Sequence, residues 1–153
     1  MKVNLQEFSE YLPNKIVDLP DELITDLREI KGGKEFEEAC MGLVFIKDKI
    51  TDWEQALTIA TEITREEKGK ELNLAYWGLS EIKEKITDWE QALTIATEIT
   101  REKKGKEFSH ACGGLSKIKD KITDWKQAIN TAAEITREEK GYEFKRFCII
   151  LGE

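Results

Sequence analysis

The side chains in this 153-residue chain best suited to chemistry are Cys40, Cys112, Cys148, His110 and a recurring tryptophan at Trp53, Trp89 and Trp125. Thiols and an imidazole can hold a metal or act as nucleophile and base, but a metal site needs them in close pairs, and no such pair occurs here. Spacing decides the role of the cysteines. All three fall at one position of a 36-residue period, with Tyr76 as the fourth member of that position. A slot repeated in successive units predicts buried, structural thiols that pack as small apolar groups. Units stacked about 10 Å apart also hold them beyond the roughly 4.4–6.8 Å Cα separation of a disulfide. No glycine-rich phosphate loop, nucleophile elbow or paired acid in a cleft accompanies His110. We therefore expect no catalysis, no cofactor and no metal. The tryptophans invite comparison with base-stacking ladders. Their neighbours Asp52 and Glu54 and the net charge of −7 argue against a nucleic-acid partner. Each ring is expected to seal the base of a helical hairpin, contributing about 2–3 kcal/mol by burial.

The period itself dictates the architecture. A unit begins at Gly33, recurs at Gly69 and Gly105, and starts a fourth time at Gly141 before the chain ends. The stretch from Lys49 to Glu66 returns unchanged from Lys85 to Glu102. Within the second copy, Leu72, Ala75, Tyr76, Leu79, Ile82 and Ile86 follow helical spacing and predict a first helix, A. Trp89, Ala92, Leu93, Ala96 and Ile99 do the same for a second, B. Thr87-Asp88-Trp89-Glu90 reads as a capping box with Thr87 as the cap. Lys126, standing where the other copies have Glu54 and Glu90, then costs about 0.5–1 kcal/mol. Gly105 is expected to supply the left-handed residue that ends helix B. Gly42, Gly78 and Gly114 lie in mid-helix, where glycine costs about 1 kcal/mol. Close approach of helix B through Ala60, Ala96 and Ala132 is the expected reason. Residues 1–32 read as a degenerate copy. Asn4 and Glu7 cap a short helix carrying Leu5, Phe8 and Leu12, and a second helix follows Asp18 with Leu23, Ile24, Leu27 and Ile30 inward. About nine helices and almost no strand follow from this.

A glycine in helix A, an Asp-aromatic pair and an alanine opening helix B together resemble the tetratricopeptide repeat. The residues are Gly42, Gly78 and Gly114; Asp52-Trp53, Asp88-Trp89 and Asp124-Trp125; and Ala56, Ala92 and Ala128. The likeness covers residues 33–140. The period is longer than that family's usual length of about 34, and no proline closes helix B. The related, slightly longer Sel1-like repeats are equally similar. The resemblance implies an all-α, right-handed α–α superhelix, a solenoid of tandem helix–turn–helix repeats whose A helices line a concave peptide-binding groove. Residues 1–153 then form one domain: the degenerate copy 1–32, full repeats at 33–68, 69–104 and 105–140, and a capping helix at 141–153.

Copies one and two differ at nine of 36 positions, seven of them between residues 36 and 45. A constant frame with variation on one helix is how a repeat scaffold makes distinct surfaces. Met41, Phe45, Leu74 and Trp77 then either form an apolar patch in the groove or widen the core. His110, Lys145 and Arg146 continue the same face. Glu37-Glu38 at one end give way to Lys145-Arg146 at the other, a polarity that could orient a peptide or an antiparallel copy of the chain. At the end, Phe147 and Ile150 replace the small residues of earlier copies, with Ile149 and Leu151 beside them. They either fold back or form a homodimer interface. The expected partner is thus a protein or peptide, or the chain itself. Charged residues make up 36% of the chain, rich in Glu and Lys, as in proteins from hot environments. With no apolar run of membrane-spanning length and no secretion-type start, no membrane partner is expected and the location is expected to be cytoplasmic.

Overall fold

Helical periodicity becomes eight α-helices in the computed structural model, which describes residues 1–152. They are α1 (Asp21–Ile30), α2 (Lys34–Phe45), α3 (Trp53–Arg65), α4 (Gly69–Glu81), α5 (Trp89–Arg101), α6 (Gly105–Lys117), α7 (Trp125–Arg137) and α8 (Gly141–Leu151). Helices α2, α4, α6 and α8 pack one on the next, and α1, α3, α5 and α7 do so in a second row. A continuous core runs between the rows, from Leu27 and Phe36 through Leu57, Leu72 and Ile99 to Phe108 and Ile129. Helix A stops earlier than its spacing predicts. Ile82 leaves helical geometry at φ −123 and ψ 15, so α4 ends at Glu81, yet Ile82 and Ile86 remain buried in the turn.

The amino terminus departs from the expected helical hairpin. Strand β1 (Lys2–Asn4) pairs antiparallel with β2 (Ile16–Asp18), with Val3 opposite Val17. Only a 3-10 turn, Leu5–Glu7, lies between, with the Asn4 side chain accepting from the Gln6 amide at 2.9 Å. The physical reason is local. The first predicted helix is too short to nucleate alone, and β-branched Val3, Ile16 and Val17 favour an extended pairing. Leu5, Phe8 and Leu12 are buried all the same.

Three further expectations are corrected by the hydrogen bonds. Asp52, Asp88 and Asp124 cap the B helices, not the threonines before them. Each carboxylate accepts from the amide three residues on, at 3.0 to 3.1 Å. The cap therefore survives in the third copy, and Lys126 reaches Asp88 of the preceding copy at 3.5 Å. The left-handed residue ending each B helix is Glu67, Lys103 or Glu139, with φ of 58 to 60. Gly69, Gly105 and Gly141 instead open the next helix. There the amide of Gly105 donates to Glu71 Oε2 at 2.8 Å, and an added Cβ would collide with the Glu71 carbonyl oxygen. Finally, the mid-helix glycines face the next A helix, not helix B: a Cβ on Gly78 would lie 3.0 Å from Ser109 Cα. Rows of A helices approach that closely because the residue between them has no side chain.

Along the B row, the repeat lays out a ladder of ion pairs. Arg65 reaches Asp26 at 3.0 Å, Arg101 reaches Glu62 at 2.6 Å, and Arg137 reaches Glu98 at 3.3 Å. Arg137 also binds Glu102, whose carboxyl it holds below the usual range through the side-chain hydrogen bond. Exposed pairs of this kind contribute about 0–1 kcal/mol each.

Candidate functional site

The face carried by α2, α4, α6 and α8 is where copies of otherwise constant frame differ. Met41, Phe45 and Leu74 are half-buried there, while Trp77 is 46% exposed. The Trp77 indole stands edge-on to Phe45, ring centres 5.0 Å apart at 71°. Such a T-shaped pair is worth about 0.5–1.5 kcal/mol and holds the indole in place without covering it. Backbone and polar contacts fix the surroundings: Asn73 donates to Glu38 at 2.9 Å, and the Ser80 hydroxyl donates to the Trp77 carbonyl at 2.6 Å.

Farther along the same face, half-buried His110 sits edge-on to Tyr142 at 5.4 Å, and exposed Arg146 covers that tyrosine ring at 5.9 Å. Burial lowers the His110 pKa, and Lys145 adds to the effect. Lys145 lies against the Gly113 backbone, its Cε 3.3 Å from where a Cβ would be. The proposed groove residues therefore form two clusters: Met41, Phe45, Leu74 and Trp77 on α2 and α4, and His110, Lys145 and Arg146 on α6 and α8.

The residues with chemical potential are placed away from solvent. Cys40, Cys112 and Cys148 are free and buried. Burial pushes the Cys40 thiol up to about 12 and raises Cys112 and Cys148 as well, which leaves them poor nucleophiles. Tyr76, in the same slot, is fully buried and pushed up to about 12 by desolvation. Among the described residues no group of three or more His, Cys, Asp or Glu side chains is arranged to hold a metal ion. Nor, among them, is any helix long and apolar enough to cross a membrane.

One site feature escaped the reading of the sequence. A cleft of about 540 Å³ lies between α3 and α5, lined by Ile59, Tyr76, Trp89, Leu93 and Thr97 among others. Trp53 and Trp125 are buried as expected, but Trp89 is only half-buried at this cleft. The signal was Tyr76. A phenol standing where Cys40, Cys112 and Cys148 stand needs more room and meets Thr97 of α5. Gln91 bonds across the next interhelical gap, to the Lys126 carbonyl and Asn130 at 3.0 Å. Its counterpart Gln55 lines the cleft together with Thr94, which stands where the later copy has Asn130.

No family model, no curated protein and no solved structure matches this chain.

Proposed function

We propose that this chain is a non-enzymatic, tetratricopeptide-like solenoid, a right-handed α–α superhelix whose A helices line a concave groove that holds a peptide or an extended protein segment. The reading rests on Trp77, a large aromatic left 46% exposed on the variable face and braced by Phe45. Binding hot spots favour such anchors. Glu37 and Glu38 at the α2 end and Lys145 and Arg146 at the α8 end give the face a polarity. A ligand with an apolar or aromatic centre, basic on one side and acidic on the other, matches it. Three buried thiols in free form suit a cytoplasmic setting.

Calorimetric titration with a peptide set of that pattern and its charge-reversed counterparts tests the reading. Micromolar binding is expected for one polarity only, and Trp77→Ala should weaken it at least tenfold, about 1.4 kcal/mol. The same variant should lose about 1–2 kcal/mol of stability, from the half-buried indole and its contact with Phe45. A stability loss of about 3 kcal/mol or more would place Trp77 in the core and sink the groove.

A further inference from the structure

Two apolar surfaces lie away from Trp77. One is the edge of α8, where Phe147, Ile149, Ile150 and Leu151 stand exposed. The other is the cleft of about 540 Å³ between α3 and α5, and it has a closed counterpart one period on, between α5 and α7. Trp89 and Leu93 are only half-buried in the open gap, whereas their equivalents Trp125 and Ile129 are buried. Shifting the walls by 36 residues changes five positions: Tyr76, Glu90, Leu93, Thr94 and Thr97 become Cys112, Lys126, Ile129, Asn130 and Ala133. Two of those changes tie the second gap shut. Gln91 donates to the Lys126 carbonyl and to Asn130 at 3.0 Å, and the Lys126 ammonium reaches Asp88 Oδ2 at 3.5 Å.

That ammonium shows what the open gap lacks. Asp88 uses Oδ1 to accept from the Gln91 amide and offers Oδ2 to Lys126. Asp52 likewise uses Oδ1 to accept from the Gln55 amide, at 3.0 Å. At the Lys126 position, however, the first gap has Glu90, so two acids line the cleft where its counterpart holds an acid and a base. Arg101 is taken up by Glu62 at 2.6 Å and Glu66 at 3.4 Å, and Glu98 by Arg137 at 3.3 Å. Among the described residues no ion pair forms on Asp52, Glu90 or Lys49, so the rim keeps an excess of negative charge. Behind it the wall is apolar and aromatic, with Ile59, Leu93 and Trp89 half-buried and Tyr76 buried.

We propose that this cleft binds a small organic amine, a single ammonium group on an aromatic or branched apolar body. The ammonium donates to Asp52 and Glu90, in the place that Lys126 fills one period on, and the body lies against Trp89, Leu93 and Ile59. An indole is the best aromatic partner for a cation. Apolar walls with a few orienting polar groups, in a volume of about 300–1,000 Å³, are what small-molecule sites use. The positive ends of α3 and α5 oppose a cation here, yet Lys126 holds its ammonium against the same kind of helix start. A neutral ligand leaves the two acids uncompensated and an anion is repelled by them, so charge selects the class.

Phenethylamine and isopentylamine, titrated into the full chain and followed by assigned amide, indole and methyl resonances, test this. Saturable shifts centred on the Trp89 indole, Leu93 and Ile59 are expected, with a Kd of about 0.1–1 mM, the range open to ligands of this size. Phenethyl alcohol, the neutral isostere, should bind about tenfold more weakly or worse. Glu90 is exposed, so its variants should fold. Glu90→Lys supplies the missing ammonium from the chain itself and should abolish amine binding, while Glu90→Gln should weaken it less. Asp52→Asn, which keeps a capping side chain, should weaken it about tenfold. No saturable shift up to about 10 mM amine, equal affinity for the alcohol, shifts spread over the acidic surface, or an amine affinity that Glu90→Lys leaves intact would each overturn the proposal. None of these readouts involves Trp77, so failure of the A-helix groove is a separate result.

Discussion

At the scale of single residues, two neighbouring positions answer opposite backbone demands. Lys103 ends α5 in the left-handed region at φ 60, with its amide on the Thr100 carbonyl at 3.0 Å and the Lys104 amide on Ile99 at 3.0 Å. This is the hydrogen-bond pattern of a glycine-terminated helix built without glycine, and a side chain there costs about 1 kcal/mol. Two residues on, Gly105 has no unusual φ but no room. A methyl would press on the Glu71 carbonyl, and the Gly105 amide would lose its bond to the Glu71 carboxylate. Lys103→Gly is therefore expected to stabilise the chain by about 0.5–1 kcal/mol. Gly105→Ala, which a helix-propensity scale would score as a gain of about 1 kcal/mol, should cost about 1–3 kcal/mol through overpacking. Urea midpoints of the two variants decide the matter, and like signs would mean that one of these positions has been misread.

At the scale of elements, the B helices begin where a single carboxylate says they do. Gln91 N–H donates to Asp88 at 3.0 Å, and this bond, together with Lys126, lowers the Asp88 pKa. Asp88→Ala should cost about 1 kcal/mol and Thr87→Ala less than about 0.5 kcal/mol. Equal losses in thermal melts would restore the threonine as cap. Both readings fit the letters Thr-Asp-Trp-Glu, and only the backbone geometry separates them. The same holds for other elements. The helical spacing of Trp89, Ala92, Leu93, Ala96 and Ile99 marked α5 correctly because a three-and-four pattern has one simple packing solution. Leu5, Phe8 and Leu12 share that spacing and are buried without forming an α-helix, since three apolar contacts do not offset the cost of nucleation. Gly78 announced a close contact but not its partner: both the following B helix and the next A helix recur with the period. Trp89 was indistinguishable from Trp53 and Trp125 because its sequence neighbours are the same, and it differs by lining the cleft that Tyr76 of another helix also lines. Trp77 and Phe45 were legible as members of one apolar set with Met41 and Leu74, not as a contacting pair, and Phe147 and Ile150 as misfits at small-residue positions.

At the scale of the whole molecule, the packing is close to one-dimensional. Each A helix leans chiefly on the A helix before and after it, so local stability is a sum of intrinsic and nearest-neighbour terms. Helices α4 and α6 have an A-row neighbour on both sides, whereas among the described residues α8 packs chiefly on α6, and less on α7. Its end is held by few bonds, among them Lys121 donating to the Leu151 carbonyl at 2.6 Å. Opening from that end should require the least free energy, and opening at α4 the most. In dilute protein, amide hydrogen exchange is therefore expected to show strongest protection in α4 and α6 and weakest in α8. Uniform protection along the chain would show a single cooperative block.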